Sequence, residues 1–416
     1  MVKITRIKLF FISILPGLFL IGLNIGTGSV TAMAKAGAHY GMSLLWTIAI
    51  SSFITYFLIN VYGKFTIITK ETALYSFKKN IHSVVGVFFI VALTINVCGS
   101  VMGVMGIIAD VCYVWSLNYI ENGIHPVLFA AFFIVFVYLL FLIGKTSSIE
   151  KSMAIIVGIM SLSFILNFFI LMPSLESILK GIIPKIPKEV VNSGDSPYLV
   201  VASMVGTTVF SGLFIIRTIL VRESGWTIKN LNIQRRDAII SALMMFIISA
   251  SIMASAAGML FGAGTGLNAA SQMMNLLQPL AGSFASTIFG IGIIAAGISS
   301  QFPNVIMLPM LLSDFNNTPL NLRKKHVKLI VLGVSLLGLV VPIFNAPPVL
   351  VMIASQAFGA LLLPFTVACM LYLGNKKELM KSYAFSIQVN IIMIVIGLFS
   401  LFIAYNSLRG IFELVL

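Results

Sequence analysis

Long apolar stretches separated by short polar segments run along almost the whole chain. A membrane-spanning helix needs about 20 largely apolar residues. Eleven stretches meet this requirement, and we predict spans at residues 9–34, 43–66, 83–114, 125–144, 150–172, 198–222, 238–261, 283–313, 327–345, 348–373 and 383–406. The loops between them are short, so residues 1–416 are predicted to form a single all-α transmembrane domain.

Two of these spans contain a break in their helical pattern. The first span carries Gly26-Thr27-Gly28-Ser29, and the sixth is interrupted around Ser211-Gly212. A helix in lipid cannot leave backbone N–H and C=O groups unpaired, so a break at mid-membrane depth requires a cavity or a ligand. Interruptions in matching spans of two halves are typical of secondary transporters.

The longest loop divides the chain into two halves. It runs from Pro173 to Pro197 and leaves five spans on each side, with an eleventh appended at residues 383–406. Since five is odd, the second half must insert upside down relative to the first. We therefore predict inverted repeats over about 9–172 and 198–373.

Composition supports the membrane assignment. Hydrophobic residues make up 59% of the 416, only 9% are charged, and the mean hydropathy is +1.08. A soluble domain carries about 25% charged residues, so most of this surface is expected to face the lipid bilayer. The net charge of +14 lies in short clusters between spans and forms no continuous basic face, which argues against nucleic acid as a partner.

The distribution of positive charge predicts the orientation. Of the 26 Lys and Arg residues, 21 fall in alternate loops that share one side with the N-terminus. The positive-inside rule then places the N-terminus in the cytoplasm and the C-terminus outside. The expected location is the inner membrane of a bacterium, with a monomeric transport unit.

Several motifs resemble the Nramp family of proton-coupled divalent-metal transporters. They extend through ten spans and comprise Leu15-Pro16-Gly17, the stretch Ala34 to Gly41 with Leu44-Leu45-Trp46, Gly206-Thr207-Thr208-Val209, Arg235-Arg236-Asp237-Ala238, Asn321-Leu322-Arg323, Ser355-Gln356 and Leu363-Pro364-Phe365. The resemblance implies a LeuT-type fold of five plus five inverted spans and an additional helix, with the first and sixth spans broken.

The metal-binding motifs of that family do not recur in this sequence. The family's first-span Asp-Pro-Gly-Asn falls on Gly26-Thr27-Gly28-Ser29, and its sixth-span Met-Pro-His falls on Phe210-Ser211-Gly212. Its acidic pair in the third span aligns with Val97 and Ser100. Divalent cations bind carboxylate oxygens or, for softer metals, His, Cys and Met. We therefore predict that the divalent-metal site is lost.

A second resemblance concerns sodium-coupled amino-acid symporters of the same architecture. Their Gly-x-Gly break with an upstream glycine is similar to Gly22 and Gly26-Thr27-Gly28, and Ala296-Gly297-Ile298-Ser299-Ser300 is similar to their sodium-binding segment. If the sodium ligands of those symporters are carried over by position, the resemblance implies a sodium site, and sodium is the one candidate cofactor. Its oxygens would come from Gly22, Ile25, Ala296, Ser299 and Ser300.

The substrate is expected between the two broken spans. Polar groups and free helix ends there would be supplied by Asn24, Gly26, Thr27, Gly28, Ser29, Thr207, Phe210, Ser211, Gly212, Arg217 and Gln356. Arg217 has two interpretations. It either faces the vestibule and favours an anionic or zwitterionic substrate, or extends to the cytoplasm to pair with Glu223 or lipid phosphate.

These observations predict a secondary transporter for a small polar or carboxylate-bearing organic solute, with sodium as the candidate coupling ion. The alternative is a transporter of magnesium or manganese with an altered site, because magnesium retains water readily. A third hypothesis is a membrane sensor or scaffold that keeps the transporter fold but does not transport. An enzyme is not expected, since no nucleophile–base pair or buried acid–base dyad is visible.

Overall fold

The computed structural model describes residues 26–143, 147–187, 196–282 and 285–415, and all regular elements in these ranges are helical. The first half contains α1 (Thr27–Tyr40), α2 (Leu45–Thr69), α3 (Ala73–Asn80), α4 (Ser83–Ser116), α5 (Pro126–Ile143), α6 (Ser147–Leu171) and α7 (Leu175–Ile182). The second contains α8 (Pro197–Thr208), α9 (Ser211–Glu223), α10 (Leu231–Ala256), α11 (Gln278–Ala281), α12 (Ala285–Phe315), α13 (Lys325–Leu336), α14 (Val340–Phe344), α15 (Pro348–Ala360), α16 (Leu363–Asn375), α17 (Lys377–Met380) and α18 (Ile387–Val415).

Local sequence explains several helix starts. Proline stands in the first turn of α8, α15 and α16, where its missing N–H costs no intrahelical hydrogen bond. His82 caps α4 by accepting a hydrogen bond from the Val84 N–H at 3.2 Å. Between α10 and α11, Ala257–Phe261 form a π-helical turn and Ala270–Leu277 a 3-10 segment.

The predicted spans correspond closely to the helices of the described ranges. Nine helices or helix pairs there are long and apolar enough to cross a membrane, and a tenth is added if α6 and α7 count as one span bent by 118°. These match the second to eleventh predicted spans. Most of the first predicted span, residues 9–25, lies outside the described residues, and the inverted repeat stays a prediction.

The sixth span is broken, but two residues earlier than the sequence predicted. α8 ends at Thr208 and α9 begins at Ser211, so the non-helical residues are Val209 and Phe210. Phe210, with φ −69° and ψ 119°, is extended. Ser211 and Gly212 therefore start a helix and do not form the break.

The first-span motif also needs a correction. Gly26 is extended, with φ −109° and ψ −168°, and immediately precedes α1. Thr27, Gly28 and Ser29 are already the first helical turn, since the Val30 N–H donates to the Gly26 carbonyl at 3.1 Å. Within the described residues, the predicted Gly-x-Gly-Ser break is thus a helix N-terminus.

The helices pack around the junction of these two helix starts. α15 packs against α8 and α4, α12 packs against α4 and α6, and α10 packs against α1 and α2. The eleventh predicted span, α18, packs against α8. At Gly206 the backbones of α8 and α15 approach so closely that a methyl group would overlap the Gln356 carbonyl oxygen.

The outward faces of the bundle are strongly apolar. Phe132 on α5 is 62% exposed and Leu398 on α18 is 64% exposed, with many similar side chains around them. A continuous apolar surface of this kind is unfavourable in water and matches the hydrocarbon core of a bilayer. Only part of each outer helix is buried inside the protein, so lipid completes its surroundings.

Candidate functional site

A small cavity of about 40 Å³ lies where α1, α4, the sixth-span break, α12 and α15 meet. It is lined by Gly26, Gly28, Ser29, Asn96, Val97, Ser100, Val104, Thr207, Phe210, Ser300, Asn304 and Gln356. A water molecule requires roughly 10–15 Å³ of such space, so about three water-sized bodies fit in this conformation.

The start of α1 contributes backbone donors to this cavity. The first turn of a helix leaves its N–H groups without intrahelical partners. The N-cap residue Gly26 supplies no side-chain capping bond, and the first turn of α1 contains no acidic residue. Gly28 has no side chain, and a methyl group there would displace the amide of Gln356, so the backbone itself reaches the cavity wall.

The start of α9 is a second uncapped helix N-terminus, adjacent to the cavity through Phe210. Phe210 receives no side-chain capping bond, and the first turn of α9 contains no acidic residue. The Ser211 hydroxyl accepts a hydrogen bond from Thr366 Oγ1 at 2.8 Å, so it points to α16. Ser211 and Gly212, both predicted to bind substrate, do not line the cavity, although their backbone begins the helix beside it.

α4 and α12 supply amides and hydroxyls to another part of the wall. Asn96 Nδ2 donates to the Ser355 carbonyl at 2.7 Å, and Asn304 Nδ2 donates to Ser100 Oγ at 3.2 Å. Both asparagines are more than nine-tenths buried. The sequence prediction missed Asn304 as a site residue. Its position four residues after Ser300 places both on one helix face, and that spacing was the available signal.

The lining is electrically neutral. Among the described residues that form it, no side chain is ionisable at neutral pH. The described ranges also contain no group of three His, Cys, Asp or Glu residues arranged to hold a metal ion. The electrostatic potential here therefore comes mainly from helix ends. The N-termini of α1 and α9 each correspond to roughly half a positive charge, and the C-terminus of α8, which ends at Thr208, to roughly half a negative charge.

Arg217 does not line the cavity, which corrects its predicted position at the substrate site. Its side chain is fully buried, and its Nη1 lies 2.6 Å from Asp237 Oδ2 on α10. The guanidinium carbon also lies 5.3 Å from the Trp226 ring centroid. Burial of a charge requires an opposite charge close by, so Arg217 links α9 to α10 inside the protein and reaches neither the vestibule nor the lipid.

Part of the predicted sodium site is adjacent to the start of α1. Gly26 packs directly on Ser300, whose hydroxyl donates to the Ala296 carbonyl at 2.6 Å. Thr27 does not line the cavity but faces Gly297, and its buried hydroxyl makes no hydrogen bond with the described residues. Ser299 is half-buried and lies outside the cavity lining. Gly22, Asn24 and Ile25 lie outside the described residues.

The charged contacts at helix ends lie away from the cavity. Arg222 on α9 lies 3.5 Å from Asp314 at the end of α12. Between α2 and α3, Glu71 accepts hydrogen bonds from Lys79, Ser76 and Asn80. Burial alone would raise the pKa of Glu71, but these hydrogen bonds and the Lys79 charge outweigh it and lower the pKa.

Comparison with known sequences identifies relatives over most of the chain. The family model described as natural resistance-associated macrophage protein-like (Nramp) matches residues 17–409. The divalent metal cation transporter MntH of Staphylococcus saprophyticus is 24% identical over 402 residues, which cover 91% of this chain and 87% of that protein. MntH of Clostridium acetobutylicum is 24% identical over 231 residues, and there the match spans 53% of this chain and only about half, 51%, of the relative.

Solved structures share the architecture at lower sequence identity. A manganese transporter of Eremococcus coleocola, in complex with an aromatic bis-isothiourea substituted compound, has a TM-score of 0.74 and 17% identity, covering 97% of this chain and 88% of that one. Mhp1 in an inward-facing conformation has a TM-score of 0.60 and 13% identity, covering 95% and 90%. The fold is thus the all-helical LeuT type expected from the sequence. The chain belongs to the Nramp family, and the long apolar helices of its described residues are those of an integral membrane protein.

Proposed function

We propose that this protein is a transporter that moves a small polar organic solute carrying a carboxylate, with sodium as the coupling ion. The observation that carries the proposal is the neutral lining of the cavity between the two helix starts. An ion with two charges loses much of its hydration energy when it enters a low-dielectric site, and without opposite charges nearby this loss is not compensated. A solute with no net charge or a single charge avoids most of that cost.

Two helix N-termini at the cavity favour a carboxylate. α1 and α9 are 14 and 13 residues long, and their N-cap residues, Gly26 and Phe210, make no side-chain capping bond. Their free N–H groups and positive dipole ends form the arrangement that commonly binds anionic groups. Both starts meet the same cavity through Gly28 and Phe210. A carboxylate there would take the place of the missing caps.

The size of the cavity limits the substrate to a few heavy atoms. About 40 Å³ is available, and a larger ligand would require the helices around it to separate. The lining combines hydroxyl and amide groups with the apolar Val97, Val104 and Phe210. Such a mixture suits a small organic molecule with one polar and one short apolar part.

Neutral oxygens beside the start of α1 support sodium as the coupling ion. The Thr27 hydroxyl is buried without a hydrogen-bond partner among the described residues, and an unsatisfied buried hydroxyl costs about 1–3 kcal/mol unless a ligand binds it. Gly297 faces this hydroxyl, and on the same helix Ser300 packs on Gly26 and donates to the Ala296 carbonyl. A monovalent cation can be held by several neutral oxygens, because less charge has to be compensated.

A second candidate function is transport of a divalent metal ion with an altered site. Two relatives are named divalent metal cation transporters, and one of the two solved structures with the same fold is a manganese transporter. Magnesium keeps several of its waters in protein sites. The amide and hydroxyl oxygens of Asn96, Ser100 and Asn304 could therefore bind it through water.

Uptake into proteoliposomes separates the two candidates. We expect accumulation of at least one small carboxylate among radiolabelled amino and organic acids, faster under an inward sodium gradient than under potassium. Ser300→Ala should reduce the sodium dependence. Ser335→Ala is the matched control, because its buried hydroxyl also donates to the carbonyl four residues earlier, at 2.7 Å, but on α13 away from the cavity.

Calorimetric titration with manganese and magnesium provides the opposing test. Direct binding of either ion with micromolar affinity, together with metal uptake and no uptake of any acid, would overturn the organic-solute proposal and favour the second candidate. Uptake of an acid that ignores the sodium gradient would leave the solute proposal in place and reject sodium coupling.

A further inference from the structure

We infer that Asn96 and Asn304 form an acceptor pair that binds a cationic, hydrogen-bond-donating group of the solute, so that the substrate is a small zwitterion with a primary ammonium. This inference rests on the proposed function, because it assigns the second end of the solute whose carboxylate faces the helix N-termini. The two asparagines belong to α4 and α12, whereas the N-termini belong to α1 and α9.

The orientation of Asn96 is fixed by its contacts with α15. Its Nδ2 donates to the backbone carbonyl of Ser355 at 2.7 Å, and the Ser355 hydroxyl donates to the backbone carbonyl of Asn96 at 3.0 Å. Gly359 leaves room for this amide nitrogen on the α15 side. With Nδ2 engaged there, the side-chain oxygen Oδ1 is the atom left to bind a ligand in the cavity.

The side chain of Asn304 is also oriented by a hydrogen bond from its amide nitrogen. Its Nδ2 donates to Ser100 Oγ at 3.2 Å, so its Oδ1 is also left as an acceptor. Asn96 is 5% exposed and Asn304 is 8% exposed, and both line the cavity. Neither oxygen has a hydrogen-bond partner among the described residues, and neither is fully shielded, so both are accessible from the cavity. A donor from the substrate would satisfy both.

The resulting cavity has two chemically different regions. The starts of α1 and α9 supply N–H donors and positive potential, whereas the two asparagines supply acceptors with no full charge. A carboxylate is stabilised by the first region and destabilised by the second, and the reverse holds for an ammonium. A small zwitterion whose charges are separated by one or two carbon atoms offers a matching group to each of the two regions that line this cavity.

Binding of matched small solutes to the full-length protein in detergent or nanodiscs tests this inference. The probes are glycine, acetate, methylammonium and glycine betaine, which provide both groups, the carboxylate alone, the ammonium alone, and a zwitterion without N–H donors. We expect glycine to stabilise the protein against heating, and to bind at least tenfold more tightly than acetate or betaine.

Two substitutions at one position distinguish recognition from folding. Asn304→Leu keeps the side-chain size but removes the acceptor, and should weaken glycine binding at least tenfold while leaving acetate binding unchanged. Asn304→Asp restores an acceptor and should bind glycine at least as tightly as the wild type. Because the two variants predict opposite results, a general loss of stability cannot imitate the pattern.

The possible failures are distinguishable. If acetate and glycine bind equally well, and Asn304→Leu binds glycine as the wild type does, the acceptor pair is rejected while the carboxylate proposal stands. If none of the four solutes nor any other organic acid binds, but manganese or magnesium does, the proposed function fails and this inference fails with it.

Discussion

Removing the charge of Arg217 should destabilise the protein strongly without affecting the substrate site. Arg217→Met keeps an unbranched side chain of similar length but leaves Asp237 without the guanidinium that lies 2.6 Å from its carboxylate. The two side chains are 0% and 1% exposed, so water screens the interaction little. Breaking one half of such a buried pair costs about 3–5 kcal/mol.

The double variant Arg217→Met/Asp237→Leu should recover most of this loss. Replacement of both charges by apolar groups removes the uncompensated charge, and in buried pairs it is often neutral or stabilising. Thermal unfolding of the four purified proteins in detergent gives a double-mutant cycle. Lys180→Met is the control, since Lys180 and Glu176 lie 2.5 Å apart but are both 74% exposed, and exposed pairs contribute little.

Two results would refute this reasoning. If the double variant lost as much stability as the two single variants combined, Arg217 and Asp237 would not be energetically coupled. If the folded double variant bound substrate or manganese more weakly than the wild type by tenfold or more, Arg217 would act at the site despite its distance from the cavity lining.

Three further predictions concern other parts of the molecule. Gly206→Ala should lower the melting temperature, because its methyl group has no space between two helices. Gly333→Ala has no atom within 4 Å of the added methyl group, so its free energy of unfolding should equal that of the wild type or exceed it by up to about 1 kcal/mol. Ser300→Ala should reduce thermal stabilisation by sodium chloride relative to choline chloride, and Ser335→Ala should retain it. Glu71 has a lowered pKa in the folded protein. Its stabilising contribution should therefore be complete above the usual glutamate pKa of about 4.3 and be lost as the pH falls through the lower pKa of the folded state. The melting temperatures of the wild type and Glu71→Gln should accordingly converge in acid.

Most of the fold could be predicted from the sequence because the membrane imposes a strict pattern. About 20 apolar residues are needed to cross the hydrocarbon core, and every backbone polar group there must be paired. Runs such as 125–144 and 327–345 therefore predict helices that the structure contains as Pro126–Ile143 and Lys325–Phe344. Lipid enforces these constraints on each span separately, so no knowledge of its neighbours is required.

The candidate site was predicted only in part. Gly26, Gly28, Ser29, Thr207, Phe210 and Gln356, predicted to bind substrate, line the cavity, as does Ser300, predicted to bind sodium. That they bind these ligands stays a prediction. Thr27, Ser211 and Gly212 do not line it, because whether a helix starts before or after a given residue depends on caps and contacts. That difference of two residues decided which side chains the cavity receives.

The sequence by itself determined the membrane setting and the positions of the second to eleventh spans; the loss of the family's metal site stays a prediction from the sequence. Tertiary structure alone decided that Arg217 is bound by Asp237 and that Asn304 joins Asn96 at the cavity. Hydrophobicity is a property of each segment and can be read along the chain. The direction in which a buried polar side chain points is set by the neighbouring helix that supplies its partner, and that neighbour is fixed only when the bundle packs.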